Sequence, residues 1–215
     1  MPWRATGAGT VTRRTPARVR ASMTQPPDTA PGAGWLPGIR HCVSPHQDAR
    51  PDGTPVTLVV VHYISLPPGH FAGDAVERLF MGRLDTAAHP DFAALEGLRV
   101  SAHFLVRRRG TLIQFVDVYR RAWHAGQSSF LGRSACNDFS LGIELEGDDR
   151  RAFTAAQYQR LGLLIGALRG LLPLRYICGH SDIAPGRKTD PGPLFDWPRA
   201  LAACAAARLE APFVR

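Results

Sequence analysis

The run Val56-Thr57-Leu58-Val59-Val60-Val61-His62 constrains this chain more than any other stretch. It is apolar, rich in β-branched side chains and free of regular polar alternation. Such a run reads as a strand over Val56–His62 that is buried on both faces. A strand covered on both sides demands helices layered on a sheet. Pro67-Pro68-Gly69 stops any continuation of the strand. The run ends in His62, which is expected to present an imidazole at a sheet edge.

The remaining patterns give the partners of that strand. Residues 74–84 read as a short helix with Val76, Leu79 and Phe80 on one face, and Ala87 to Val100 reads as irregular. Ala102–Arg107 and Thr111–Val116 flank Arg108-Arg109-Gly110, a hairpin signature. Ser140–Glu146 is a further strand. Thr154-Ala155-Ala156-Gln157 is a capping box, and behind it Tyr158, Leu161, Leu164, Ile165 and Leu168 share one helical face. Gly162, Gly166 and Gly170 recur on another face of that helix and are expected to allow close approach to a sheet. Pro173 stops it, Tyr176–Gly179 is a strand, and a last helix runs over roughly Pro198–Leu209, opening near Asp196. Strands mixed with helices predict an α/β class with a mixed central β-sheet flanked by helices.

Charge divides the chain. Residues 1–22 hold Arg4, Arg13, Arg14, Arg18 and Arg20 and no acid, so of the net +8 only +3 belongs to the remainder. Residues 1–34, rich in Pro, Gly, Thr and Arg, are expected to be a disordered basic extension. Met23 is an alternative start. Residues 35–210 form the expected folded domain, long enough to bury a core. Arg107-Arg108-Arg109 at a hairpin end is the one folded basic cluster, and without a recognition motif it predicts no nucleic-acid partner. No segment has the ~18–20 apolar residues of a membrane helix, so no membrane partner is expected. Cys42, Cys136, Cys178 and Cys204 lack metal or redox spacing. Scattered in apolar surroundings, they fit a reducing compartment, here the cytoplasm. The expected state is a monomer.

The chemistry concentrates in Cys178-Gly179-His180-Ser181-Asp182-Ile183-Ala184-Pro185-Gly186-Arg187-Lys188-Thr189-Asp190-Pro191-Gly192-Pro193. This segment leaves a strand and becomes a Pro- and Gly-rich loop carrying an imidazole, a lysine and a carboxylate. With His62 it offers two histidines and one carboxylate, the donor set of a catalytic zinc with an open fourth position. In Ser140–Glu146, Glu144 and Glu146 share the face opposite Ile143 and Leu145, and Glu144 suits a general base. Taken singly, each residue has a plainer reading. His62 can be a hydrogen-bonded core histidine, Asp190 can cap a turn, the glutamates can be a solvated strand face, and Lys188 can be a surface charge.

Taken together and in order, five segments carry a resemblance. They are His62–Gly69, Ser101–Val106, Arg121–Gly126, Cys136–Gly147 and His180–Pro193. Over roughly residues 36–205 the chain resembles the zinc-dependent N-acetylmuramoyl-L-alanine amidase family 2, closest to its cytoplasmic branch. That resemblance implies one zinc ion on His62, His180 and Asp190, a catalytic Glu144 and a Lys188 beside the metal. It implies the fold shared with peptidoglycan-recognition proteins and amidase-type phage lysozymes, whose third ligand is Cys where this chain has Asp190. It implies hydrolysis of the amide between (1,6-anhydro-)N-acetylmuramic acid and L-alanine in a muropeptide, for wall recycling. Three rivals are a non-catalytic peptidoglycan binder, an exported lytic amidase and, third, a nucleic-acid binder led by the Arg-rich arm. Tyr63, where relatives are expected to carry Asn, either lines the substrate groove or packs. Trp123 either stacks on a sugar or sits in the core. Arg121 and Arg187 either pair with stem-peptide carboxylates or are surface charges. His103 and His124 are read as structural residues or as supports behind the ligands.

Overall fold

The computed structural model describes residues 32–214. Ten strands lie among them: β1 (Arg40–His41), β2 (Gln47–Asp48), β3 (Leu58–Ile64), β4 (Phe104–Val106), β5 (Leu112–Gln114), β6 (Arg121–Ala122), β7 (Ser129–Phe130), β8 (Arg133–Ser134), β9 (Ser140–Glu146) and β10 (Tyr176–Gly179). Four helices join them: α1 (Ala75–Phe80), α2 (Ala155–Arg169), α3 (His180–Ile183) and α4 (Trp197–Ala203). Six strands form one sheet in the order β1-β5-β4-β9-β3-β10. Only β4–β5 is antiparallel, so the sheet is mixed, as the sequence implies.

Alternation along the strands sorts side chains between two layers. Val59, Val61, Phe104, Val106, Leu141, Ile143, Leu145 and Ile177 pack under α2 and α4, against Leu161, Leu164, Ile165, Leu168 and Ala200. Each fully buried aliphatic side chain there stabilises by about 1.5–3 kcal/mol. The opposite face carries two separate apolar patches. Leu105 and Ile113 meet Val76, Leu79 and Phe80 of α1. Leu58, Val60 and Cys178 meet Phe130, Cys136, Phe139 and Ile183. Between those patches lies a polar strip made by His62 and by Ser140, Gly142 and Glu144, three of the four even-numbered positions of β9.

The helix caps follow the sequence. Thr154 Oγ1 accepts from Gln157 N at 3.2 Å and Gln157 Oε1 accepts from Thr154 N at 3.0 Å. Gln157 is fully buried and donates to Glu146 O at 2.9 Å and Val106 O at 3.3 Å, tying the start of α2 to the ends of β9 and β4. Asp196 caps α4 by accepting from Arg199 N.

Several expectations need correction. The first strand lies two residues further on than Val56–His62, and it is not at an edge: β9 and β10 flank it. Flanking partners come from segments far away in sequence, which a local pattern does not contain. The helix expected over 74–84 stops at Phe80, because Gly82 at φ +66° turns the chain away. The stretch 87–100 contains a 3-10 turn, Pro90–Leu95, that buries Phe92. The last helix breaks at Cys204 into a separate 3-10 turn, Ala205–Ala207. Gly162 approaches α4 rather than a sheet, since a methyl group there would overlap the Ala203 carbonyl, whereas Gly166 faces open space. Residues 32–34, assigned to the extension, form a turn in which Gly34 N donates to Asp117 Oδ2 at 3.2 Å. The rest of the expected extension lies outside the described residues. Among the described residues, no helix is long and apolar enough to cross a membrane.

Candidate metal centre

Three segments converge at one end of the sheet. His62 lies two residues before the end of β3 and pairs in register with Glu144 of β9. β10 runs parallel to β3 on its other side, pairing Gly179 with Val61, so His180 emerges beside His62. Only glycine fits at position 179, because a Cβ there would stand 2.6 Å from Pro191 Cδ of the returning loop. That loop leaves α3 and closes on itself, with Ser181 N donating to Asp190 O at 2.8 Å. Asp190 is thereby brought back to His180, ten residues upstream.

The result is a triangle of ligand atoms. His62 Nδ1 and His180 Nδ1 are 3.0 Å apart, and Asp190 Oδ2 is 2.9 Å from the first and 3.0 Å from the second. A single hydrogen can bridge only one side of such a triangle, so the three atoms do not satisfy one another. A cation at their centre satisfies all three, and the His2Asp set with one side open suits catalytic zinc. Both histidines are buried, and burial draws His62 down to about 4, against the opposing pull of Asp190. Burial opposes ionisation of Asp190, but the two imidazoles in contact with it, His180 and His62, outweigh that and hold its carboxyl below the usual range. A neutral His62 beside an ionised Asp190 gives a cation a lone pair and a negative charge to bind without either group first losing a proton.

The two glutamates of β9 share a face and differ completely in environment. Glu146 is fully engaged: Oε1 accepts from Ala72 N and from Arg107, each at 2.8 Å, and Oε2 accepts from Arg108 N at 3.0 Å. It fastens the segment after β3 to the β4–β5 hairpin. Glu144 is buried, and its Oε2 has no hydrogen-bond partner. Burial pushes its carboxyl well above the ordinary range; Asp190 adds to this and Lys188 counters it. Buried polar atoms left unpartnered are uncommon away from functional positions. Both glutamates are buried, so the solvated-face reading fails for the pair. Lys188 is exposed, and its charge acts on both Glu144 and His62.

The four residues considered for substrate contact have distinct placements. Tyr63 does not join the trio. Strand alternation turns it to the α2 side, where it packs against that core and lies close beneath Gly192. Trp123 is half-buried and stacks on His46 at 6.0 Å. Arg121 is held by Asp48, at 2.6 Å to each oxygen, and by Asp138 at 2.5 Å, so its charge is already matched within the fold. Arg187 donates to Ala125 O at 2.7 Å and Gln127 O at 2.5 Å and lines a cleft of about 630 Å³ with Gly126, Ser128, Ser134 and Ile183. Sequence reasoning missed Ser140, Asn137 and Gly142, which surround His124 beside the trio. The even-numbered positions of β9, read as one face, were the available signal.

Comparison with known proteins places this geometry among relatives. The family model described as N-acetylmuramoyl-L-alanine amidase matches residues 52–193. The 1,6-anhydro-N-acetylmuramyl-L-alanine amidase AmpD of Escherichia coli (strain K12) is 56% identical over 168 residues, covering 77% of this chain and 92% of that protein. A crystal structure of an AmpD derivative superposes with a TM-score of 0.76 at 53% identity, covering 79% of this chain and 96% of the other. The E. coli amidase AmiD, solved with anhydro-N-acetylmuramic acid-L-Ala-D-gamma-Glu-L-Lys, gives 0.51 at 29% identity, covering 69% of this chain and 57% of its own. Drosophila peptidoglycan recognition protein SA shares the fold, with a TM-score of 0.54 at 16% identity over 74% of this chain and 88% of its own.

Proposed function

The chain belongs to the N-acetylmuramoyl-L-alanine amidase family, and from that premise we propose that it hydrolyses the amide between 1,6-anhydro-N-acetylmuramic acid and L-alanine in soluble wall fragments, as a zinc enzyme of peptidoglycan recycling. The observation that carries the reading is the pairing of a three-atom cation cradle with the unpartnered buried carboxylate of Glu144 across one register step. High identity to amidases over nearly their whole length supports the substrate class.

His62, His180 and Asp190 would hold one zinc ion, which when bound supplies Lewis acidity toward water and the scissile carbonyl. The protein's own groups then move the protons. Glu144 takes a proton at its free Oε2 as water adds to the carbonyl carbon of the lactyl group. As the C–N bond breaks, the same oxygen returns that proton to the departing nitrogen of L-alanine. A carboxyl raised by burial suits both halves of this exchange, because a base that is too acidic holds a proton too weakly to take it. The Lys188 ammonium faces the charge that develops on the carbonyl oxygen and stabilises it. Such a stabiliser is worth about 10²–10³ in rate.

Residues 35–210 act as one catalytic unit, to which the turn at residues 32–34 is tied through Asp117. Four unpaired buried cysteines suit a reducing compartment, which supports action in the cytoplasm on a muropeptide. Arg187 and Trp123 are the retained candidates for substrate contact. The test is a side-by-side assay on an anhydro-muropeptide and on intact sacculi. Peptide release from the soluble fragment alone is the expected result. Degradation of sacculi at comparable rate would contradict a recycling role.

A further inference from the structure

Both histidines of the trio present Nδ1 to the common centre and turn Nε2 away from it. The outward nitrogens meet two adjacent residues, His124 and Ala125. His180 Nε2 lies 3.1 Å from Ala125 O, and a carbonyl only accepts, so Nε2 carries the hydrogen and Nδ1 keeps its lone pair.

For His62 the partner is another imidazole, and its hydrogen is fixed from further back. Ser140 Oγ lies 2.6 Å from Cys136 O, so the hydroxyl hydrogen points to that carbonyl. The same oxygen, 3.2 Å from His124 Nε2, must then accept, and His124 carries its hydrogen on Nε2. His124 Nδ1 is left with a lone pair and accepts Nε2–H of His62 at 3.0 Å. His62 Nδ1 therefore faces the centre with its lone pair free. Two backbone carbonyls, Cys136 and Ala125, thus fix the orientation of both ligands.

The dipeptide that carries these acceptors is itself clamped. Asn137 Oδ1 accepts from His124 N at 3.1 Å and from Ala125 N at 2.8 Å. Arg187 donates to the same Ala125 carbonyl that receives His180. Gly142 leaves the space for the ring, since any Cβ there would overlap His124. Ser140, Gly142 and Glu144 are successive residues on one face of β9, so a single strand builds both the support and the base.

We propose that His124, locked through Ser140, is a positioning residue that selects the metal-binding tautomer of His62, and that the His124-Ala125 step does this for both histidines. The proposal rests on the zinc reading above. Its test is zinc affinity of the full chain, measured by competition with a chromophoric chelator, in the wild type and in His124→Leu, His124→Asn and Ser140→Ala. His124→Leu removes the acceptor and should weaken binding about 10–100-fold. His124→Asn restores an acceptor near the Nδ1 position and should recover most of the loss. Ser140→Ala should cost roughly two- to tenfold, the worth of one hydrogen bond. The visible spectrum of the cobalt-substituted protein should change in His124→Leu and be restored in His124→Asn. A merely structural His124 would lower the melting temperature of the metal-free protein and leave zinc affinity unchanged, which would overturn the proposal. Should His124→Leu not fold, wild-type affinity in Ser140→Ala overturns it equally. A wild-type chain that binds no zinc would instead remove the metal-centre reading itself.

Discussion

His62 and Glu144 are register partners on β3 and β9, so their side chains rise from the same face of the sheet on neighbouring strands. One is a member of the cation cradle, and the other is a buried carboxyl with a free oxygen. Strand pairing alone sets their relation, with no loop between them to adjust.

Glu144→Gln keeps the shape of that carboxyl and removes its proton chemistry. Turnover should fall about 10²–10⁴-fold, with circular dichroism unchanged. The same substitution should raise the melting temperature of the metal-free protein at neutral pH. Glu144 in the folded state is pushed above the ordinary value of 4.5, so the folded chain binds more protons than the unfolded one between the two values. Stability is therefore lost as pH rises from 4.5 through the raised value, and glutamine removes that loss. Equal melting temperatures for the two proteins at neutral pH would show that the carboxyl is not strained by its burial.

Lys188→Met should shift the acid limb of the pH–rate profile upward. The lysine charge opposes the upward push on Glu144. Without it the carboxyl ionises only at higher pH, and the deprotonated fraction at a given acidic pH falls. A drop of about 10²–10³ in turnover at the optimum should accompany the shift. An unmoved acid limb would separate Lys188 from Glu144.

Gly162 and Gly166 should respond in opposite directions to alanine. Gly162→Ala forces a methyl group into the Ala203 carbonyl and should destabilise by about 1–3 kcal/mol. Gly166→Ala meets no atom within 4 Å and should stabilise by about 0.5–1 kcal/mol through helix propensity. Urea unfolding of the two variants measures both signs at once.

Glu146→Ala should open the segment after β3. It deletes the acceptor for Ala72 N, Arg107 and Arg108 N together and leaves Arg107 with Glu77 alone among its carboxylate partners. Loss of a buried charged partner costs about 3–5 kcal/mol. Hydrogen exchange should rise at Ala72 and Arg108. Unchanged exchange there would mean that other contacts hold the segment.

Local patterns predicted much of this fold. The capping box located the start of α2, and alternation located β9 with both ends correct, because both signals reside within a few residues. The position of β3 inside the sheet was not legible, since its neighbours β9 and β10 begin about 80 and 120 residues downstream. The glycine spacing of α2 announced a close approach at Gly162 without naming α4 as the partner. Arg121 read as a stem-peptide partner or a surface charge because the carboxylates that hold it, Asp48 and Asp138, are 73 and 17 residues away. For the site, residue types and the ordered motifs singled out His62, His180, Asp190, Glu144 and Lys188. The support behind them was hidden, because Ser140, His124 and Cys136 become a chain of hydrogen bonds only when β9 and the 124–137 loop are folded together.

Zinc-dependent amide hydrolysis is tested most directly by release of free peptide from an anhydro-N-acetylmuramyl peptide by the intact chain, followed before chelation, after chelation and after zinc is returned. Release should stop when the metal is removed and resume when zinc is restored. Peptide release that continues unchanged in excess chelator, with metal analysis showing none bound, would contradict the zinc mechanism.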